Sequence, residues 1–171
     1  FRFLLESDGQ SESHFPHTIL ENDHLTIGVY LPDTLSGYYR ASRFDWSGII
    51  SSLKYKNHEY FGEWFEKHDP FVHDAITGPV EDFSPIGYEE AKAGGPFMKI
   101  GVGILEKPDE NQYRFSAKYK IIDHGTWEIE KNKGSVVFTH ILKSPDGYAY
   151  EYRKGLRIGT DSPEMIITHS L

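Results

Sequence analysis

The chain has 171 residues and no cysteine, and its 26 acidic side chains outnumber 18 basic ones for a formal charge of −8. A domain of this size buries a sizeable core unaided, so neither disulfides nor a structural metal is required, and thiol catalysis and Cys-ligated zinc are excluded. The acidic balance points away from nucleic acid and anionic membranes, and no apolar run approaches the roughly 20 residues of a membrane span, which leaves a neutral or cationic small molecule as the expected partner.

The opening FRFLLESDGQ lacks the basic region and long apolar stretch of a signal peptide, and position 1 is not Met, which suggests that a leader or tag preceded this numbering. From there the periodicity is that of strands. Thr18 to Leu31 predicts two short strands about a polar Glu21-Asn22-Asp23 turn, and Gly48 to Phe61 predicts two more about Lys56-Asn57, where Asn tolerates a positive φ. Phe97 to Leu105 reads as one strand with Met98, Ile100, Val102 and Ile104 on one face and Gly101 and Gly103 on the other. Tyr113 to Ile122 predicts a further strand. TWEIEKNKGSVVFTHIL predicts a hairpin about Asn132-Lys133-Gly134, and Tyr148 to Ile158 and Glu164 to Leu171 predict the last two strands. Helical spacing is absent, so the chain is read as all-β.

Two segments stand out from this pattern. Between Ser36 and Trp64, Arg40, Arg43 and Asp45 are interleaved with aromatics including Phe44, Trp46, Tyr60 and Trp64. Aromatic faces beside forked guanidinium donors suit a pyranose, stacking on its C–H faces and bonding its hydroxyls. The same Phe44, Trp46 and Tyr60 also suit cross-strand packing in an all-β core, and Arg43 also suits an ion pair with Asp45 or a loop carboxylate. Glu66 to Pro96 has no clean period, yet it carries Phe71, Phe83 and Tyr88, which a solvated linker would not, so it is expected to be an ordered loop covering one end of the sheet.

That loop carries most of the remaining chemistry. His68, Asp69, His73 and Asp74 offer metal ligands or acid–base groups, although Pro70 prevents the helix that usually aligns such a set. No metal is therefore assigned, and His73 is the candidate for proton transfer. Glu81 with Asp82, and Glu89 with Glu90, are adjacent acidic pairs. Neighbours on an extended chain point in opposite directions, so neither pair reads as a glycosidase dyad. His124 and His140 fall in strand-rich sequence and are expected to be structural. No nucleophile elbow or phosphate-binding glycine motif is present.

The segments YYRASRFDWSGIISSLKYKNHEYFGEWF, HDAITGPVEDFSPIGYEEA and GGPFMKIGVGIL resemble the amino-terminal half of the aldose 1-epimerase-like (galactose mutarotase-like) family, in a bacterial subgroup. The R-F-D-W-S-G run is the most specific element of the resemblance, which extends from about Thr18 onward. It implies an antiparallel β-sandwich of the supersandwich type, incomplete here, with a concave face that binds a sugar or oligosaccharide and needs no cofactor. It further implies ring opening by a glutamate that deprotonates the anomeric hydroxyl and a histidine that protonates the ring oxygen. Arg43, then Arg40, are the implied sugar-hydroxyl contacts, with Asp45, Glu81 and Lys99 lining the cleft, Trp46 and Trp64 stacking, and His73 as the early histidine. The glutamate base and second histidine are expected in a carboxy-terminal half, on a continuation of the chain or a second chain. A sugar-scavenging setting would favour a periplasmic or secreted location. The contrasting expectation is a noncatalytic carbohydrate-binding or accessory module on the same fold.

Overall fold

The computed structural model describes residues 14–171; the opening FRFLLESDGQ lies outside the described residues. Eleven strands and no helix occur among those residues: β1 (His17–Glu21), β2 (Leu25–Tyr30), β3 (Ile49–Tyr55), β4 (His58–Glu59), β5 (Pro96–Lys99), β6 (Gly103–Glu106), β7 (Ile121–Asp123), β8 (Thr126–Asn132), β9 (Ser135–Lys143), β10 (Ala149–Ile158) and β11 (Met165–Ser170). All pairings between them are antiparallel, in sheets ordered β1-β2-β3-β4, β11-β10-β9-β8 and β5-β6-β7.

Alternation explains how the two larger sheets meet. Leu20, Leu25, Ile27, Val29 and Ile50 point inward from β1 to β3 and form one buried cluster with Val136, Phe138, Leu156 and Ile158 from β9 and β10. The protein is thus an all-β antiparallel sandwich, held chiefly by burial of these branched and aromatic faces. A second cluster, built from Tyr38, Tyr39, Trp46, Tyr88, Phe97, Leu105 and Tyr119, fixes the irregular segments onto the small sheet.

The hairpins close as their turn residues dictate. Lys56 and Asn57 adopt φ of 49° and 63°, and Gly134 adopts φ of 75°. Two expectations are corrected. Phe97 to Leu105 is not one strand but a tight hairpin in which Lys99 pairs with Gly103 and Met98 with Ile104, turning at Gly101 with φ 73°. A side chain at Gly101 is excluded twice, by that φ and because a Cβ would lie 2.1 Å from Asp45 Oδ1. Of the strand expected over Tyr113 to Ile122, only the end enters β7. Tyr113 and Tyr119 instead stack with centroids 5.2 Å apart inside the aromatic cluster, which satisfies their apolar faces without a strand.

The segment from Glu66 to Pro96 is ordered loop, pinned to the sandwich by backbone bonds from Arg40 N to Pro70 O, from Asp45 N to Glu81 O, and between Ile86 and Met98. Tyr88 is buried and Phe83 packs edge-on to Tyr152 with centroids 5.3 Å apart, whereas Phe71 stays half exposed.

Candidate functional site

The Asp45 N–H donates to Glu81 O at 2.9 Å and so ties the loop to the sandwich. The two neighbouring carboxylates take different partners on either side of this tie. Asp82 accepts from Lys99 Nζ at 2.6 Å and Arg43 Nε at 3.1 Å. Glu81 turns toward the β10–β11 sheet, where Oε2 contacts Lys154 Nζ and Oε1 lies 3.3 Å from His169 Nε2.

Around Glu81 the groups form a continuous chain. Tyr152 donates to Asp45 Oδ2 at 2.9 Å, so its oxygen is left to accept from His169 Nδ1 at 3.0 Å. His169 and Tyr152 are nearly coplanar in projection, with ring planes 9° apart. With its Nδ1 bonded to the Tyr152 hydroxyl, His169 presents Nε2 to the Glu81 carboxylate. Tyr152 and His169 line a cleft of about 230 Å³ together with Phe83, Ile100, Ser170 and Leu171. His169 thus belongs to the wall of an apolar, aromatic-lined recess, with Glu81 behind it at 3.3 Å.

Beneath the pair sits buried charge. Asp45 is 1 % exposed and Lys154 is 1 % exposed, with Lys154 Nζ 4.0 Å from Asp45 Oδ2. Asp45 Oδ1 also accepts from the backbone N–H and hydroxyl of Ser47 at 2.8 and 2.6 Å. Burial pushes the Asp45 carboxyl up to about 6, with Lys154 and Ser47 opposing the rise. Because the folded value lies above the ordinary 3.8, the Asp45 contribution to stability is fully present below about pH 4 and is lost as pH rises through about 6. Denaturant titrations from pH 4 to 7 should therefore show the difference between wild type and Asp45→Asn falling across that window and flat above it. A constant difference would remove Asp45 as the titrating group.

The other residues singled out from the sequence divide between scaffold and surface. Trp46 is buried, donating Nε1–H to Ala41 O at 2.9 Å, and Lys99 is fully buried against Asp82 and the Tyr113 hydroxyl. Neither side chain faces the cleft. Trp64 is 81 % exposed, beside the exposed Tyr60 and Phe65. Arg43 is braced on all sides: Nη1 donates to Asp74 at 2.6 Å and Nε to Asp82, and the guanidinium lies 4.5 Å from the Phe44 ring centroid and 4.6 Å from that of Phe115. Its partners are the loop carboxylates and not Asp45. We expect Arg43→Ala to speed limited proteolysis within residues 66–96 while leaving sugar affinity within about twofold; lost affinity with unchanged proteolysis would return Arg43 to the site.

His73 is buried beneath the loop with its carbonyl accepting from the Tyr39 hydroxyl at 3.0 Å. Neither ring nitrogen makes a hydrogen bond of normal geometry among the described residues, although the Ala117 backbone lies nearby, and burial lowers the pKa below the usual histidine value. It lies outside the His169 recess and makes no contact with the Glu81–His169 pair. The His68-Asp69-His73-Asp74 set takes separate partners: His68 stacks on Tyr38, Asp69 caps the Phe71 N–H, and Asp74 pairs with Arg43. Among the described residues no three His, Asp or Glu side chains gather as a metal would need. His140 is structural, stacked on Trp127 at 3.9 Å and bonded to His124 O and Tyr150, and burial lowers its pKa to about 4.

Sequence reasoning named Glu81 but missed Tyr152, Lys154 and His169. A signal existed for Lys154, which occupies an inward position of β10 in register with Tyr150, Tyr152, Leu156 and Ile158. A lysine on a buried strand face demands an anion. Comparison with protein-family models, with curated proteins and with solved structures returns no match for this chain.

Proposed function

We propose that this protein binds a sugar at the recess beside His169 and interconverts its anomers with Glu81, as an aldose 1-epimerase-like protein of the galactose mutarotase-like supersandwich type. The observation that carries the reading is the Glu81 carboxylate 3.3 Å from the imidazole of His169, which itself lines a recess with Phe83 and Tyr152. Anomer exchange needs a base at the anomeric hydroxyl and an acid at the ring oxygen, and both oxygens are bonded to the same carbon. A neighbouring acid and base can serve both once an arriving sugar replaces their mutual contact. Glu81 takes the hydroxyl proton, the bond from the anomeric carbon to the ring oxygen breaks, and His169 protonates that oxygen. Rotation and the reverse steps give the other anomer. The partly buried ring of Phe83 in the recess wall offers apolar surface for the C–H side of a pyranose. The His73 assignment gives way to His169 in this scheme, because His169 and not His73 faces Glu81.

The test is anomer-exchange NMR of the purified 171-residue chain across a panel of hexoses. Acceleration above the buffer rate supports the reading. If no hexose exchanges faster but an oligosaccharide binds, the noncatalytic module is the better description, and the exposed Tyr60, Trp64 and Phe65 are then its candidate platform. Neither exchange nor binding removes the carbohydrate reading altogether.

A further inference from the structure

A second recess, about 250 Å³, opens between the Arg40 strip, the Phe71 loop and the approach to β7, and shares no lining residue with the His169 recess. Arg40, Ser42, Phe71, Lys118, Tyr119 and His124 line it, and among the described residues no carboxylate does. In a chain carrying a net charge of −8, a concave site that gathers an arginine and a lysine without a described acid is a local inversion of the overall field.

The polar atoms there are incompletely used. Arg40 Nη1 donates to Leu35 O at 2.6 Å and the guanidinium lies 4.5 Å from the Phe71 ring centroid, which fixes the fork in place. Arg40 Nε is nevertheless buried with no hydrogen-bond partner among the described residues, and so is His124 Nδ1. Arg40 Nε is itself enclosed, so an oxyanion in the recess would meet the remaining Nη donors of the fork, whose planar geometry matches it. Asp33 and Asp123 lie near enough to feel Arg40 and His124 respectively, but neither reaches into the recess. The His124 carbonyl is occupied by His140 Nε2 at 2.7 Å and its ring lies 5.0 Å from Trp46, so the imidazole is held at the wall by the core.

We propose that this recess is an oxyanion site, binding the carboxylate or phosphate group of a small molecule through Arg40 and Lys118, with His124 at the inner wall and Phe71 covering one side. Lys118 is exposed and supplies mobile charge at the rim, whereas Arg40 supplies directional donors within. The site is independent of the anomerase reading, since it uses different residues and a different chemistry.

The experiment is calorimetric titration of the 171-residue chain with sodium phosphate and, separately, sodium acetate, at ionic strength held constant with sodium chloride, alongside NMR of the histidine rings. Saturable binding of at least one oxyanion is expected, shifting the His124 ring signals and weakened at least tenfold in Arg40→Gln and in Lys118→Gln. The arm that binds identifies the group: phosphate alone, acetate alone, or both for a site that reads only charge. Arg40→Gln also loses the Leu35 contact, so Lys118→Gln at the exposed rim decides the matter if Arg40→Gln does not fold. Glu81→Gln should leave oxyanion binding unchanged even if it alters sugar exchange. Binding that does not saturate, that is equally tight in the Lys118 variant, or that vanishes in Glu81→Gln overturns the proposal.

Discussion

Glu81→Gln is expected to slow anomer exchange by roughly 10²–10⁴-fold, the range that general acid–base groups supply, with the fold intact by circular dichroism. The amide keeps the size of the carboxylate and still accepts from Lys154, but it cannot take a proton from an anomeric hydroxyl. The loss should fall on kcat, because a glutamine still offers hydrogen bonds to a bound sugar. His169→Gln should lose a similar factor. Combined, the two changes should cost little more than either alone, since acid and base act on one event. Saturation-transfer NMR on whichever hexose exchanges fastest reads all three variants, and an unchanged rate in Glu81→Gln would remove the carboxylate from the reaction.

Lys154→Met is expected to cost about 3–5 kcal/mol of folding stability, the usual consequence of stranding a buried charge by deleting its partner. Methionine fills the aliphatic space of the lysine stem, so the loss reports the missing ammonium and not a cavity. Glu81 and Asp45 both face Lys154, and Asp45 is fully enclosed, so its carboxylate is left to protonate or to stay charged without compensation. Adding Asp45→Asn should recover part of the loss, because the two side chains share an interaction and their effects do not add. Urea unfolding at pH 7 measures both variants. A cost below about 1 kcal/mol for Lys154→Met would mean that Lys154 is not the counter-charge of the site, and with it the electrostatic account of Glu81 would fall.

How far these features were legible in the sequence varies with the physics behind each. Hairpins at Lys56-Asn57 and Asn132-Lys133-Gly134 were readable because the turn residues themselves carry the positive φ. The hairpin at Gly101 was not. Its apolar residues are arranged symmetrically about the turn, Met98 pairing with Ile104 on one face, so the alternation continues through the reversal as if the strand never ended. Tyr113 and Tyr119 gave a strand-like pattern because aromatic packing also seeks one buried side, with no ladder required. At the site, Arg43 and Trp46 have the right chemistry for a sugar, but local composition cannot distinguish a donor aimed at a ligand from one already satisfied by Asp74, Asp82 or Ala41. His169 lies 88 residues beyond Glu81 along the chain and meets it only through the pairing of β11 with β10. Nothing in either local segment encodes that encounter.

The back-to-back carboxylates of Glu81 and Asp82 also constrain how this protein can vary. A one-residue shift of register at the Asp45 tie would present the wrong carboxylate to Lys154 and leave Arg43 and Lys99 without theirs, so the single backbone bond at Asp45 governs both ion-pair groups at once.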